Sequence, residues 1–456
     1  MRKKLSAAIA VCLLLSSTTF SSCGISSLNT LDDNLLRVAS WDEYIDMGGE
    51  VYDTSDKDVA DFVAWYKDVF GIELSENTLP LYEEFTTWYH KNYASHPDYQ
   101  EDFAGVEYIT MQDNETMYNK IKMNDSSYDL LCPSEYMAIK LKNEGRLKKF
   151  SNDLFDTENS LNEYAKNLSP YVSNVLDSVG LKEYLAGYMW GTTGFVFDPN
   201  KINPEIMNSW HCMSSEACSN KITAKDNARD SYFMGLGMYY EDKIKTENPD
   251  LETLSKWMND TSTKTLDGAR KQLQDMRQNV YGLETDEAKT DMIMGWLAAS
   301  YQWSGDAVFI LDEAEKESGL NLQYSIPDSV SNIWFDGWVM MKNADEHLST
   351  AFINFLSLPQ NVVRNMYYIG YTSCMAGEKV YEYVDYNYGD EQGDTEYDLS
   401  YFFGNGYAPL TVLSDQLSRQ LFAQYPDFDT TQHLVVMQPF NKKDNERVNR
   451  MWINIK

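Results

Sequence analysis

Trp41, Asp42, Glu43 and Tyr44 arrive together at the end of the run Leu36-Arg37-Val38-Ala39-Ser40. An indole and a phenol beside two carboxylates suit an organic cation, because a ring face and an anion both attract positive charge. Catalysis finds no comparable footing: the chain has no Gly-x-Ser-x-Gly elbow, no phosphate loop, no zinc signature and no Cys/His pairing. Paired carboxylates serve glycoside hydrolysis, but that reaction does not call for aromatic walls around them. The expectation is a binding protein, not an enzyme, with no catalytic residue, no cofactor and no metal. His211 is the one histidine near a cysteine pair, and His90, His96, His347 and His433 are scattered.

Side chains of this kind need a strand to carry them to a common edge. Residues 36–41 read as a short apolar strand opening an α/β lobe, with the aromatic and acidic cluster at its carboxyl end. Asp113-Asn114-Glu115-Thr116 reads as a helix start before Met117 and Ile121. Tyr128 to Cys132 reads as the next strand, broken by Pro133, so that Ser134-Glu135-Tyr136 stands at its end. A helix from Met137 to Glu144 then stops at Gly145. Leu348, Ala351, Phe352, Phe355 and Leu356 fall at helical spacing before Pro359, which assigns Phe352 and Phe355 to the core; Trp190 and Trp338 read as packing residues. The acidic, tyrosine-rich stretch from Tyr381 to Tyr401 reads as a surface excursion, its Asp, Glu and Gly arguing against core.

Arg2, Lys3 and Lys4 precede an apolar stretch, Leu5 to Leu15, that is too short to span a bilayer and reads as a secretory leader. Thr19-Phe20-Ser21-Ser22-Cys23 resembles a lipobox, with Phe20 where leucine is usual, and implies cleavage before a lipidated Cys23. The following residues form a polar tether. The roughly 430 residues left allow two lobes of ordinary domain size. With 70 acidic against 38 basic residues and a net charge of −32, nucleic acid is excluded as a partner and cationic solutes are favoured. Beyond Cys12 in the leader and Cys23, the cysteines are Cys132, Cys212, Cys218 and Cys374; a Cys212–Cys218 bond is open on spacing alone.

Eight blocks in order carry a resemblance: LRVASWDEYID, NETMYNKIKMNDSSYDLLCPSEY, NEGRLKKF, YMWGTTGFVFDP, KDNARDSYFMGLG, SNIWFDGWVMMKNA, AFINFLSLP and YIGYTS. Together they resemble the spermidine/putrescine-binding proteins of bacterial ABC importers. The resemblance implies a two-lobed α/β fold of the periplasmic-binding-protein type II kind, closing by a hinge on a ligand between the lobes. It divides the chain into a leader (1–22), a lipidated tether (23–35), the first part of lobe I (36–190), the first part of lobe II (191–328), a return segment of lobe I (329–375) and a C-terminal part of lobe II (376–456). Residues about 47–80 stand where the family has a short loop, and Val59, Phe62, Val63, Tyr66 and Phe70 place a helix inside this insertion near the cleft rim.

The resemblance also implies a site. Trp41, Glu43 and Tyr44 match its cluster on the first strand, and Ser134 and Tyr136 match its Pro-Ser-x-Tyr segment. Trp296 matches a tryptophan of lobe II, Trp334 and Asp336 hold an amine near the ligand's centre, and Tyr371 is a further cleft tyrosine. Asp230 falls on the distal acidic position, whereas Asn227 stands where spermidine binders carry a second aspartate and Asp226 is displaced by one residue, which leans the reading toward a diamine. The implied protein is a monomeric, lipid-anchored binder on the outer face of the cell membrane that passes putrescine or spermidine to an ABC permease. A same-fold binder of another cation, such as thiamine or a different amine, is the alternative.

Overall fold

The computed structural model describes residues 34–123, 127–284 and 287–456. The leader and Cys23 lie outside these residues. Fourteen strands are described: β1 (Leu35–Trp41), β2 (Gly105–Met111), β3 (Leu130–Leu131), β4 (Leu147–Lys148), β5 (Ala186–Phe197), β6 (Ile222–Ala224) and β7 (Gly282–Leu283). They continue as β8 (Ala299–Trp303), β9 (Gln323–Ser325), β10 (Ser331–Met341), β11 (Thr372–Ser373), β12 (Thr395–Tyr397), β13 (Leu410–Val412) and β14 (Leu434–Val436).

The main sheet runs β2-β1-β3-β10-β5-β8-β6-β7, with β4 and β14 pairing β10 and with β9 and β11 pairing β5. At one end β1 is parallel to β2 and β3, and at the other β6 is parallel to β7 and β8. Two α/β layers thus meet at an antiparallel centre, β5 against β10. Every residue of these two strands is buried, as their near-continuous apolar sequences require. The register slips between Asp336 and Gly337, where Asp336 faces Met189 and Gly337 faces Gly187. Tyr188 is therefore the extra residue of a bulge on β5, a device that bends a strand and re-aims neighbouring side chains.

Two hydrophobic cores flank that centre. The first gathers Val38, Phe85, Leu131, Phe335, Phe352 and Tyr383, and the second gathers Phe195, Trp210, Phe233, Leu273, Tyr301 and Trp452. The sequence-drawn boundary at residue 376 does not follow this division. Side chains from Val380 to Tyr425 join the first core, and Val435, Met437, Val448, Met451 and Trp452 join the second.

The helix Lys57–Phe70 forms as the spacing predicts. Asp56 caps it by accepting from the N–H groups of Asp58 and Val59, and Gly71 ends it at φ +68°. Phe62 stacks on Tyr367 with ring centroids 3.7 Å apart, and Trp65 lies 4.8 Å from Tyr386. Tyr386 belongs to the helix Glu378–Tyr388, which corrects one expectation: residues 381–401 are not a surface excursion. Val380, Tyr383 and Val384 are buried at i, i+3 and i+4, as are Tyr397 and Leu399, so the acids occupy only the outer face. Trp190, Trp338, Phe352 and Phe355 are buried, as read. The helix after Pro133 is Glu135–Asn143, starting two residues early, and Gly145 follows it at φ +68°. Cys132, Cys212, Cys218 and Cys374 are buried free thiols, so the loop at 212–218 is not closed by a disulfide.

Candidate functional site

Asp336 sits where β10 slips against β5, beside the end of β1 and the start of the helix Glu135–Asn143. It is 7% exposed. Its Oδ2 accepts from the Tyr44 hydroxyl at 2.8 Å, while Oδ1 is buried with no hydrogen-bond partner among the described residues. Burial pushes the carboxyl up, and the nearby Ser134, Tyr44 and Trp41 side chains offset part of that. A buried carboxylate oxygen lacking a donor is costly and rare, and it suits a cation delivered from outside the chain.

Aromatic rings surround this carboxylate. Tyr371 lies 6.0 Å from Tyr44 at 89° and 5.5 Å from Trp334, whose indole N–H donates to the Thr192 carbonyl at 3.3 Å. Two glycines make room for the rings. A Cβ on Gly191 would stand 2.5 Å from the Trp334 ring, and one on Gly305 would stand 1.9 Å from Tyr371. On the other flank Ser134 is pinned by Asn114, which accepts from the Ser134 N–H at 3.1 Å and donates to its hydroxyl at 3.0 Å. Trp41, Tyr44, Ser134, Trp334, Asp336 and Tyr371 thus form one group.

A second group comes from the start of the helix Ala228–Glu247. Asn227 caps it, accepting from the Asp230 N–H at 2.7 Å while its amide donates back to the Asp230 carboxylate. Burial raises the Asp230 carboxyl, and Asn227, Lys225, Arg229 and Trp303 offset it. Arg229 reaches across to lobe I: its guanidinium lies 4.0 Å from the Tyr136 ring centroid and 4.7 Å from that of Phe440. Neighbouring Glu135, whose carboxylate accepts from the Phe335 N–H at 3.0 Å, is held up at about 8 by burial. Tyr371 joins the groups, donating to Asp306 Oδ1 at 3.3 Å.

Two expected residues stand apart. Trp296 is 71% exposed on the turn after the helix Glu287–Ile293 and joins neither group. The indole that does reach Asp230 is Trp303, at the carboxyl end of β8 and directly before the helix Ser304–Ser318. Its sequence signal was a Trp-Ser-Gly at a strand-to-helix junction. Glu43 is exposed in the turn after β1 with φ +52°, a strained setting for a residue with a side chain. It faces solvent at the rim, outside the carboxylate group around Asp336. The displaced Asp226 turns the other way, accepting from the Trp452 indole N–H at 3.1 Å and pairing Lys456 at 3.0 Å.

The histidines are less scattered than their spacing suggests. His96, Asp98 and His347 hold metal-type donor atoms within 4.8 Å of one another, against Tyr89 and Tyr93 and away from both groups above. Among the described residues no helix is long and apolar enough to cross a membrane.

A family model described as bacterial extracellular solute-binding protein matches residues 94–380. The spermidine/putrescine-binding periplasmic protein of Salmonella typhimurium is 26% identical over 278 residues, 60% of this chain and 72% of that protein. A putrescine/agmatine-binding protein of Pseudomonas aeruginosa is 22% identical over 58% of this chain and 69% of its own length. In fold, the chain superposes on a spermidine/putrescine ABC transporter substrate-binding protein from Streptococcus pneumoniae with a TM-score of 0.57 at 22% identity, covering 92% of this chain and 98% of that one.

Proposed function

Because this chain belongs to the bacterial extracellular solute-binding protein family, we propose that it captures a polyamine between its two lobes and delivers it to an ABC permease, without catalysis. The observation that carries this reading is the buried Asp336 carboxylate, half satisfied by Tyr44 and walled by Trp334 and Tyr371. A polyamine arrives charged, since its ammonium groups titrate near lysine. One ammonium supplies the missing donor to Asp336, and the methylenes lie along the Trp334 and Tyr371 faces, each cation–π contact adding roughly 0.5–2 kcal/mol. Trp41, Tyr44, Ser134 and Tyr136 line the lobe I side, Asp230 and Asn227 the lobe II side, and Glu43 serves as an acid on the rim. Relatives that bind polyamines by name, in Salmonella typhimurium and Pseudomonas aeruginosa, support the ligand class.

The test is calorimetric titration of putrescine and spermidine into the parent and Asp336→Asn. The variant retains shape and hydrogen-bonding capacity but loses the charge, so affinity should fall by on the order of 2–5 kcal/mol, about thirty- to several-thousand-fold. A half-exposed acid outside both groups, Asp390, changed to Asn is the control and should leave binding unaltered, because field effects there are screened. Equal binding by both variants and the parent sinks the site.

Leader cleavage and lipidation at Cys23 anchor the monomer to the outer face of the cell membrane in this reading. Several acyl chains hold where one would not. Cys23→Ser should release the chain into the soluble fraction of fractionated cells, and unchanged membrane association refutes the anchor.

A further inference from the structure

The second lobe carries a cation of its own to the site. Lys225, directly after β6, is 1% exposed. Its ammonium stands 3.5 Å from the centroid of the Trp303 ring, donates to Gln302 Oε1 at 2.9 Å and lies 3.6 Å from Asp306 Oδ2. Asp306 also pairs Lys289 at 2.9 Å and accepts from Tyr371, the ring beside Trp334. An unbroken line of contacts therefore joins Asp336, through Tyr44, Tyr371 and Asp306, to Lys225.

The acids that would answer a second ammonium at that end are already engaged. Asp230 is bonded to Asn227 and Trp303, Asp226 is turned to Trp452 and Lys456, and Asp306 is shared between two lysines. Lys225 and Arg229 stand beside Asp230, Lys225 and Lys289 beside Asp306, and Glu115 acts on Arg229 from the other lobe. Glu135, held at about 8 by burial, adds little anion at neutral pH. A tryptophan face attracts a cation through its quadrupole, and Lys225 already uses that attraction at Trp303.

We propose that Lys225 sets the ligand length: its ammonium substitutes, from within the chain, for the far ammonium of a long polyamine, so the site takes a short diamine anchored at Asp336 and turns a triamine away. This rests on the polyamine reading above and goes beyond it by naming the size class and the residue that selects it. Asn227 alone removes one negative charge from the far end; Lys225 adds a positive one.

The experiment titrates putrescine and spermidine into the parent, Lys225→Met and Lys225→Arg, with a thermal melt of each. The parent should bind putrescine about tenfold or more tightly than spermidine, and Lys225→Met, similar in length but uncharged, should gain about tenfold or more for spermidine while putrescine moves less than about threefold. Lys225→Arg keeps the charge and should keep the parent's order. A parent that prefers spermidine overturns the proposal, as does a folded Lys225→Met whose spermidine affinity is unchanged or moves by the same factor as putrescine. If Lys225→Met does not fold, the parent's order and that of Lys225→Arg decide. Spermidine binding that appears only in Lys225→Met supports both readings. No binding of either amine by any of the three proteins overturns the polyamine reading itself, and this inference with it.

Discussion

Asp336 gives the binding reaction a pH dependence whose sign follows from its surroundings. Burial raises its carboxyl from the ordinary value, so the unliganded protein keeps a proton there to a higher pH than a solvated aspartate would. A bound ammonium favours the anion, so binding should expel that proton and weaken as pH falls through the raised value, by up to a tenfold loss per pH unit. Calorimetry of putrescine binding between about pH 5 and 8, in buffers of different ionisation enthalpy, measures the proton directly. Asp336→Asn should abolish its release, and Glu135→Gln separates it from the neighbouring carboxyl that titrates at about 8. Two residues of this proximal group were legible in the sequence because each follows a strand end that the pattern marks, Tyr44 after β1 and Ser134 after Pro133; Asp336, in the middle of β10, was legible only through the resemblance carried by Trp-Phe-Asp. Trp303 was not, since Trp296 in Ile-Met-Gly-Trp-Leu-Ala-Ala-Ser offered a nearby indole, and only three-dimensional packing tells which one meets Asp230. Lys225 was hidden for a related reason. A lysine in sequence reads as solvated, and its burial follows from Trp303, Gln302 and Asp306 converging from another strand and helix.

The helix Lys57–Phe70 is part of the first core and of the scaffold behind the site. Its Phe62 lies flat on Tyr367 and edge-on to Tyr383, joining the helices Pro359–Ile369 and Glu378–Tyr388. Phe62→Ala should cost about 3–5 kcal/mol in urea unfolding, as truncating a fully buried phenylalanine does. A loss within about 0.5 kcal/mol would mean a peripheral attachment. Underneath, Arg364 pairs Glu84 at 3.0 Å and Asp46, whose carboxylate also accepts from Tyr52, so the segments on either side of the helix share one buried cation. The helix itself was visible as an apolar stripe at helical spacing. The helix Glu378–Tyr388 was not, because Glu378, Glu382 and Asp385 interrupt its apolar residues in sequence while Val380, Tyr383 and Val384 carry its packing. Composition averages over both faces of a helix, whereas burial depends on one.

Across the whole molecule, the two long central strands pass from one core into the other, and Arg229 against Tyr136 is a clasp between lobes away from them. Arg229→Met should loosen that clasp. Small-angle scattering of the unliganded variant should show a larger radius of gyration than the parent, and amine affinity should fall about 2- to 30-fold, the worth of one cation–π contact. An unchanged radius would assign Arg229 to its own lobe, through the Gln438 carbonyl and Phe440. The two-lobed plan was legible from ordered blocks along the chain, while the route of the last eighty residues was not, since they return to the first core before joining the second and no local pattern records that. The stray position of Trp296 has an optical consequence. Of eleven tryptophans it alone is exposed, so its emission is the water-shifted part of the spectrum and the part a neutral quencher such as acrylamide reaches first. What remains after quenching comes from shielded indoles, Trp334 and Trp303 among them, so the protein carries an intrinsic dye for ligand capture with its own solvent reference, and Trp296→Phe would leave the reporter without the background.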